Sequence, residues 1–253
     1  MLAQATGIYC ERPVVGPLRD HFVCAWAHRL PMTETPPVVV VPDGCIDLQW
    51  LAGTWRIAGP DRQAIVETLA PGTTVVGFRF RPAAASSWLG LPASELVNRR
   101  IPLEEFWGLE ARRLAESANE ARGIAALAGV LEAALARRRP SVSARQRLMH
   151  AVFELLSAGA PPGKPVIAWL SGELAMSERT LRRRCEEAFG YGPKTLDRIL
   201  RFQRFLKLVR GSRNAAAASL ALEAGYADQA HLVRESRRLA VTTPGEIANL
   251  FAD

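Results

Sequence analysis

The sequence predicts an α+β protein, with a β-rich first part and an all-helical second part. Three observations predict it. Short β-branched runs separated by turn residues occupy residues 8–108, as in Val38-Val39-Val40-Val41 ahead of Pro42-Asp43-Gly44. After about Pro82 the character changes, and from Leu103 to Arg139 the chain is rich in Ala, Leu, Arg and Glu, strong helix formers. Beyond residue 141, apolar residues recur at helical spacing between Gly, Pro and capping residues. With 253 residues, 49% apolar and 23% charged, the composition is that of a soluble globular chain of one or two domains. The expected division is a β-rich unit with trailing helices over 1–140 and a helical unit over 141–253.

In the first part, Ile46-Asp47-Leu48-Gln49-Trp50 alternates as a half-buried strand does, and Pro42-Asp43-Gly44 suggests a hairpin joining it to Val38–Val41. Thr73–Phe80 reads as another strand, with weaker candidates at Trp55–Ala58 and Ile65–Leu69. Such spacing suggests a small barrel or sandwich. A short helix follows at Ala83–Gly90, then helical sequence from Leu103 to Arg139. There Leu127, Val130, Leu131, Ala134 and Leu135 share one face, expected to be core, with a subunit contact as the alternative.

The second part reads as successive helices: Ala144–Ser157, Val166–Glu173, Glu178–Phe189, Pro193–Val209, Ala215–Ala224 and one from Asp228 to about Ala240. Two of them are preceded by a short helix and a tight turn, and carry natural caps, Ser177 and Asp228. This predicts two helix-turn-helix units joined by a long helix. Charge follows the same division: residues 1–140 carry 15 Lys+Arg against 14 Asp+Glu, and residues 141–253 carry 17 against 11. A basic excess on one segment suits a polyanion, although an Arg-rich proteome gives the same bias. On the Glu178–Phe189 helix, Leu181 and Cys185 face inward while Arg179, Arg182 and Arg183 face outward together. An arginine fork matches the N7 and O6 of guanine.

These residues carry a family resemblance. Gly225-Tyr226-Ala227-Asp228-Gln229-Ala230-His231-Leu232-Val233-Arg234-Glu235 resembles the G-[FY]-x-D-x-[SA]-[HY]-[FL]-x-R signature of AraC/XylS-type transcriptional regulators. Met176-Ser177-Glu178-Arg179-Thr180-Leu181-Arg182-Arg183-Arg184 resembles that family's first reading helix, and Thr243-Pro244 its closing T-P. The resemblance covers roughly residues 141–250. It implies a sequence-specific regulator of transcription that binds double-stranded DNA, with RNA polymerase and a second copy of the chain as possible further partners. Ser177, Arg179, Thr180, Arg182 and Arg183 would face one groove, and Gln229, His231 and Arg234 the next, with Arg237 and Arg238 on phosphates. Ser236 stands where the family has a core Phe, and Val241 where it has Gly.

Tyr9-x-x-Arg12-Pro13, Pro42–Leu48 and Val76–Pro82 resemble an N-terminal domain found on a subgroup of these regulators, with no well-known ligand. A small-molecule effector would bind there by analogy. Candidate ligand residues are Trp26, Asp43, Cys45, Asp47, Trp50 and Arg79; a strand starting at Asp43 would set Asp43, Cys45 and Asp47 on one face. The plainer reading makes Asp43 a turn residue, Cys45 a small hydrophobe and the tryptophans core. A rival reading is a DNA-modifying or repair enzyme with Cys45 as nucleophile, though no activating histidine lies nearby in sequence. A third is a positioning protein with a completely filled N-terminal barrel. The four cysteines (Cys10, Cys24, Cys45, Cys185) form no C-x-x-C pair, so a reducing cytoplasm is expected, without structural zinc. His21 and His28 lack a third ligand, so neither metal nor cofactor is expected. Neither a membrane span nor a signal peptide is expected.

Overall fold

The alternation at 46–50 belongs to the interior of a six-stranded antiparallel sheet in a computed structural model that describes residues 2, 6–33, 37–161, 163–211 and 217–251. Its strands are β1 (Ile8–Pro13), β2 (Phe22–Arg29), β4 (Asp47–Leu51), β5 (Thr54–Ala58), β7 (Thr74–Phe80) and β8 (Arg100–Pro102), in the order β1-β2-β7-β4-β5-β8. A separate ribbon pairs β3 (Val38–Val40) with β6 (Ile65–Glu67). The arrangement is sandwich-like, and the sheet does not close into a barrel.

The hairpin expected at Pro42-Asp43-Gly44 does not form. Both edges of β4 are taken, by β5 and β7, so β3 pairs elsewhere. The strand starts at Asp47, and Asp43 instead makes a local turn in which its Oδ1 accepts the Cys45 N–H at 2.9 Å.

The two faces of the large sheet differ. One carries Phe22, Leu48, Ile57, Phe78 and Phe80, all buried. It packs on α1 (Ala85–Leu89), α2 (Glu104–Trp107), α3 (Leu109–Glu120) and α4 (Ile124–Arg138) in a single apolar cluster. The helical stretch expected over 103–139 is thus three helices. The stripe on α4 is core: Leu127, Leu131, Ala134 and Leu135 are buried in this cluster. Trp50 lies on the same inner side, its ring 4.7 Å from that of Trp55. The opposite face presents alternate strand residues that are polar: Gln49, Arg56, Arg79 and Arg100.

The helical part comprises α5 (Ala144–Ala158), α6 (Val166–Glu173), α7 (Glu178–Phe189), α8 (Pro193–Gly211), α9 (Ala217–Glu223), α10 (Gln229–Ala240) and α11 (Pro244–Leu250). Residues 215 and 216 of the expected ninth helix lie outside the described residues. A second apolar cluster unites all seven helices around α8, whose Leu196, Ile199, Phe202, Phe205 and Leu206 are buried. Apolar residues on every side make α8 an internal rod of about 28 Å, at about 1.5 Å per residue. Among the described residues no helix is long and apolar enough to cross a membrane.

Candidate nucleic-acid interface and cavity

Each helix-turn-helix unit starts its second helix from a side-chain cap. Ser177 Oγ accepts the Thr180 N–H at 3.3 Å, and Asp228 Oδ1 accepts the His231 N–H at 2.6 Å. On α7, Leu181, Cys185 and Phe189 are buried, one turn apart, so Arg179, Arg182 and Arg183 are exposed together. Arg182 pairs with Glu178 at 3.3 Å and Arg183 with Glu187 at 3.0 Å, both i,i+4 contacts at the surface. Such pairs are worth a few tenths of a kcal/mol and release easily. Ser177 is exposed and Thr180 half-buried. On α10, Gln229, Arg234, Arg237 and Arg238 are exposed, while Leu232 and Leu239 enter the core. His231 is half-buried, its ring edge-on to Tyr226 at 5.2 Å.

The departures in the second unit have local solutions. Ser236 is buried and its hydroxyl donates to the Thr242 carbonyl at 2.8 Å, replacing an apolar contact with a hydrogen bond. Val241 adopts φ +57°, the left-handed conformation that a glycine there would take freely. Two arginines of α8, unremarked in the sequence because they sit in an apolar stretch, hold the units together. Arg204 donates to the carbonyls of Leu156 and Ser157, at 2.8 and 3.2 Å, and of Ala224, at 3.4 Å. Arg198 pairs with Glu235 of α10 at 3.2 Å.

A cavity of about 110 Å³ lies between the ribbon and the polar face of the large sheet, with Leu206 of α8 at its wall. Of the six residues expected to bind a ligand, the structure brings Trp26, Asp43 and Arg79 to this cavity, with Asp47 beside them. Arg79 pairs with Asp43 at 3.1 Å and with Asp47 at 3.2 Å. Trp26 lies so close over Gly77 that a Cβ there would meet the indole at 2.3 Å. Cys45 and Trp50 do not line the cavity. The Cys45 sulfur turns back toward the Asp43 carbonyl, 3.8 Å away, and Trp50 faces the inner core. Burial and the neighbouring Asp43 push the Cys45 thiol well above its usual range.

The sequence reading missed a second charged cluster in the same wall. Arg56 pairs with Glu67 at 2.8 Å, and Arg100 bridges Glu67, at 3.1 Å, to Asp61, at 2.8 Å. Burial alone would raise the Glu67 carboxyl, but Arg56 and Arg100 outweigh it and hold it low. For Asp61, burial wins over Arg100 and the carboxyl titrates high. The available signal was the period-two spacing of Asp47, Gln49, Arg56 and Ala58 across the β4–β5 hairpin. His21 and His28 are apart in role: His21 Nδ1 accepts the Trp88 indole N–H at 3.2 Å, and His28 Nε2 meets the Thr6 carbonyl. No metal-ligating cluster occurs among the described residues.

Residues 170–249 match a family described as a helix-turn-helix domain, and residues 15–102 match a domain family of unknown function. No curated protein matches the chain in sequence. Among solved structures, ToxT from Vibrio cholerae matches with a TM-score of 0.51 at 10% identity, over 90% of this chain and 98% of that chain. Unsaturated fatty acid-bound wild-type ToxT from Vibrio cholerae matches with a TM-score of 0.50 at 11% identity, over 91% and 95%. These likenesses establish a common fold. Residues 170–249 are therefore a helix-turn-helix domain, the class of module that binds DNA. More particularly, residues 176–184 and 225–235, which carry the resemblance to AraC/XylS-type regulators, both lie within that matched domain.

Proposed function

We propose that this chain is a sequence-specific regulator that reads two successive major grooves with α7 and α10 and answers to a small molecule held under the β3–β6 ribbon. One observation carries the reading: two capped helices, each in the core on one side, expose arginines on the other while bracing on the same rod. Arg179, Arg182 and Arg183, flanked by Ser177 and Thr180, contact one groove. Gln229, Arg234 and the accessible edge of His231 contact the next, and Arg237 and Arg238 neutralise phosphates. The division at 140–141, a cytoplasmic location and partnership with RNA polymerase and a second copy belong to the same reading.

The effector site is the cavity that joins Trp26, Asp43 and Arg79 to the Arg56–Glu67–Arg100 cluster. ToxT, which shares the fold, has been solved with an unsaturated fatty acid bound. Here the cavity is about 110 Å³, with a charged sheet wall facing the valines of the ribbon, which favours a small effector with a polar end over a long acyl chain. The loop at Asp43 also meets the helical part, since Gln203 of α8 donates to the Pro42 carbonyl at 2.7 Å. An effector acts by binding one domain arrangement better than another.

The rival enzyme reading needs a thiolate, and at half-buried Cys45 desolvation and the neighbouring Asp43 oppose one. A cavity also argues against a filled positioning domain. The test is selection of bound DNA from a random pool by the full chain, followed by a thermal-shift screen of small polar metabolites. Expected are an enriched motif with two half-sites about one turn apart and a stabilising ligand whose effect is lost in Arg79→Ala. An unenriched pool overturns the DNA reading, and a ligand insensitive to Arg79→Ala overturns the site. Cys45→Ser is expected to leave DNA binding intact.

A further inference from the structure

We propose that Arg100 is the centre of a relay through which the cavity sets the seating of the first reading helix, α7. The proposal rests on the effector reading above and names how that site is coupled to DNA. Arg100 lines the cavity and holds two carboxylates at once: Glu67 of the ribbon at 3.1 Å and buried Asp61 at 2.8 Å. Glu67 is also the ribbon's tie to Arg56, so these bonds pin the ribbon to the sheet. An occupant that lifts the ribbon from the sheet draws Glu67 away from Arg100.

Asp61 leads directly to the helical part. Its neighbour Arg62 donates to the Gly190 carbonyl at the end of α7, at 2.9 Å. Its other neighbour, Pro60, forms with Ala93 and Val97 a cradle around Gly190 so close that a Cβ there would meet atoms at 2.5 to 2.9 Å. The cradle is one body with Arg100. The Gly59 N–H donates to the Arg99 carbonyl at 2.9 Å, the Asn98 N–H to the Pro60 carbonyl at 3.1 Å, and the Arg62 N–H to Asn98 Oδ1 at 2.8 Å. Tyr191, the next residue after Gly190, is fully buried with its hydroxyl unbonded. A buried orphan hydroxyl is costly, so this seating of α7 is left one hydrogen bond short. Among the described residues, the side-chain hydrogen bonds crossing from residues 6–102 to the helical part end on α5, α7 and α8 or on Gly190, and none on α9 to α11. The relay therefore reaches the first unit and spares the second.

The test is hydrogen exchange of the full chain, read by mass spectrometry in Glu67→Gln and Arg62→Ala. Glu67→Gln is expected to speed exchange at 59–62 and at the end of α7 by at least about tenfold, leaving α10 unchanged. Arg62→Ala is expected to speed the end of α7 alone, and the double variant to add nothing there, because both cut one path. Loosening confined to the ribbon, equal loosening of α7 and α10, or full additivity at α7 overturns the relay. If Glu67→Gln does not fold, Arg62→Ala at an exposed side chain decides by footprinting on the selected DNA. Loss of protection at one half-site only supports the relay, and uniform loss or no loss overturns it. The exchange readout needs no effector, so a failed relay leaves the effector reading standing, and a failed ligand screen leaves the relay measurable.

Discussion

The first reading helix, α7, ends in a cradle contributed by the β-rich part, whereas α10 draws its described hydrogen bonds and ion pairs from the helical part alone. Both start from the same kind of cap and expose the same kind of face. They differ in what surrounds their ends: α7 closes at Gly190 against Pro60, Ala93 and Val97, and α10 closes at Val241 in a left-handed conformation with its side chain exposed. The difference teaches that two copies of one motif in one chain need not share one task. In the proposed relay the clasped unit is the one that responds to the N-terminal part.

The largest expected effect compares two glycines. Gly190 and Gly225 both have positive φ, +83° and +91°. A Cβ at Gly225 would meet nothing closer than 3.7 Å, while at Gly190 it would strike the Val97 side chain and the Ala93 carbonyl. Gly190→Ala should therefore cost about 3 kcal/mol or more, left-handed strain plus overpacking, against about 1 kcal/mol for Gly225→Ala. Urea unfolding checks both, and equal costs would break the contrast. Next, Arg182→Ala or Arg183→Ala should weaken specific binding by about 1–3 kcal/mol if the contact is a bidentate base pair. Arg234→Ala should cost less; a titration on selected and scrambled DNA separates base from phosphate contacts, since a phosphate contact loses equally on both.

Smaller effects sharpen the picture of the second unit. Ser236→Ala removes the buried bond to Thr242 and should cost about 1 kcal/mol of stability. Val241→Gly should raise stability by about 0.5 kcal/mol, because relief of left-handed strain exceeds the added freedom of the unfolded chain. Thermal melts of the two variants should move in opposite directions. The smallest effect is a pH dependence. Glu246 closes a capping box with Thr243, and hydrogen bonds from Thr242 and Thr243 hold its carboxyl down at about 2. A folded value below the unfolded one means a contribution present above the ordinary carboxylate range and lost as pH falls from about 4.5 toward about 2. Glu246→Gln, which still accepts those bonds, should flatten that part of the acid titration of α11 helicity followed by amide exchange.

Much of the helical part was legible because its signals are local. Ser177 and Asp228 cap where their side chains reach their own helix, and the arginine face of α7 follows from the inward positions of Leu181 and Cys185 alone. The β-rich part was less legible because strand pairing is a choice among distant partners. Val38–Val40 has the composition of a strand but nothing that names β6 rather than β4 as its neighbour. Asp43, Asp47 and Arg79 were singled out by residue type and spacing, yet their meeting depends on the β4–β7 register, Asp47 opposite Arg79. Arg56, Glu67 and Arg100 escaped notice for the same reason: they come from three strands of two sheets.

The amino-acid order by itself determined where the helices between residues 144 and 211 begin and end to within two residues, which face α7 exposes and that two helix-turn-helix units lie on one rod, since caps, periodicity and glycine stops act within a few residues. Only the tertiary structure decided that the ribbon covers a charged sheet face, and that the loop behind Asp61 grips one reading helix and not the other. Those outcomes arise from contacts between segments far apart in the chain, where burial and charge pairing select one partner among many that composition leaves equal.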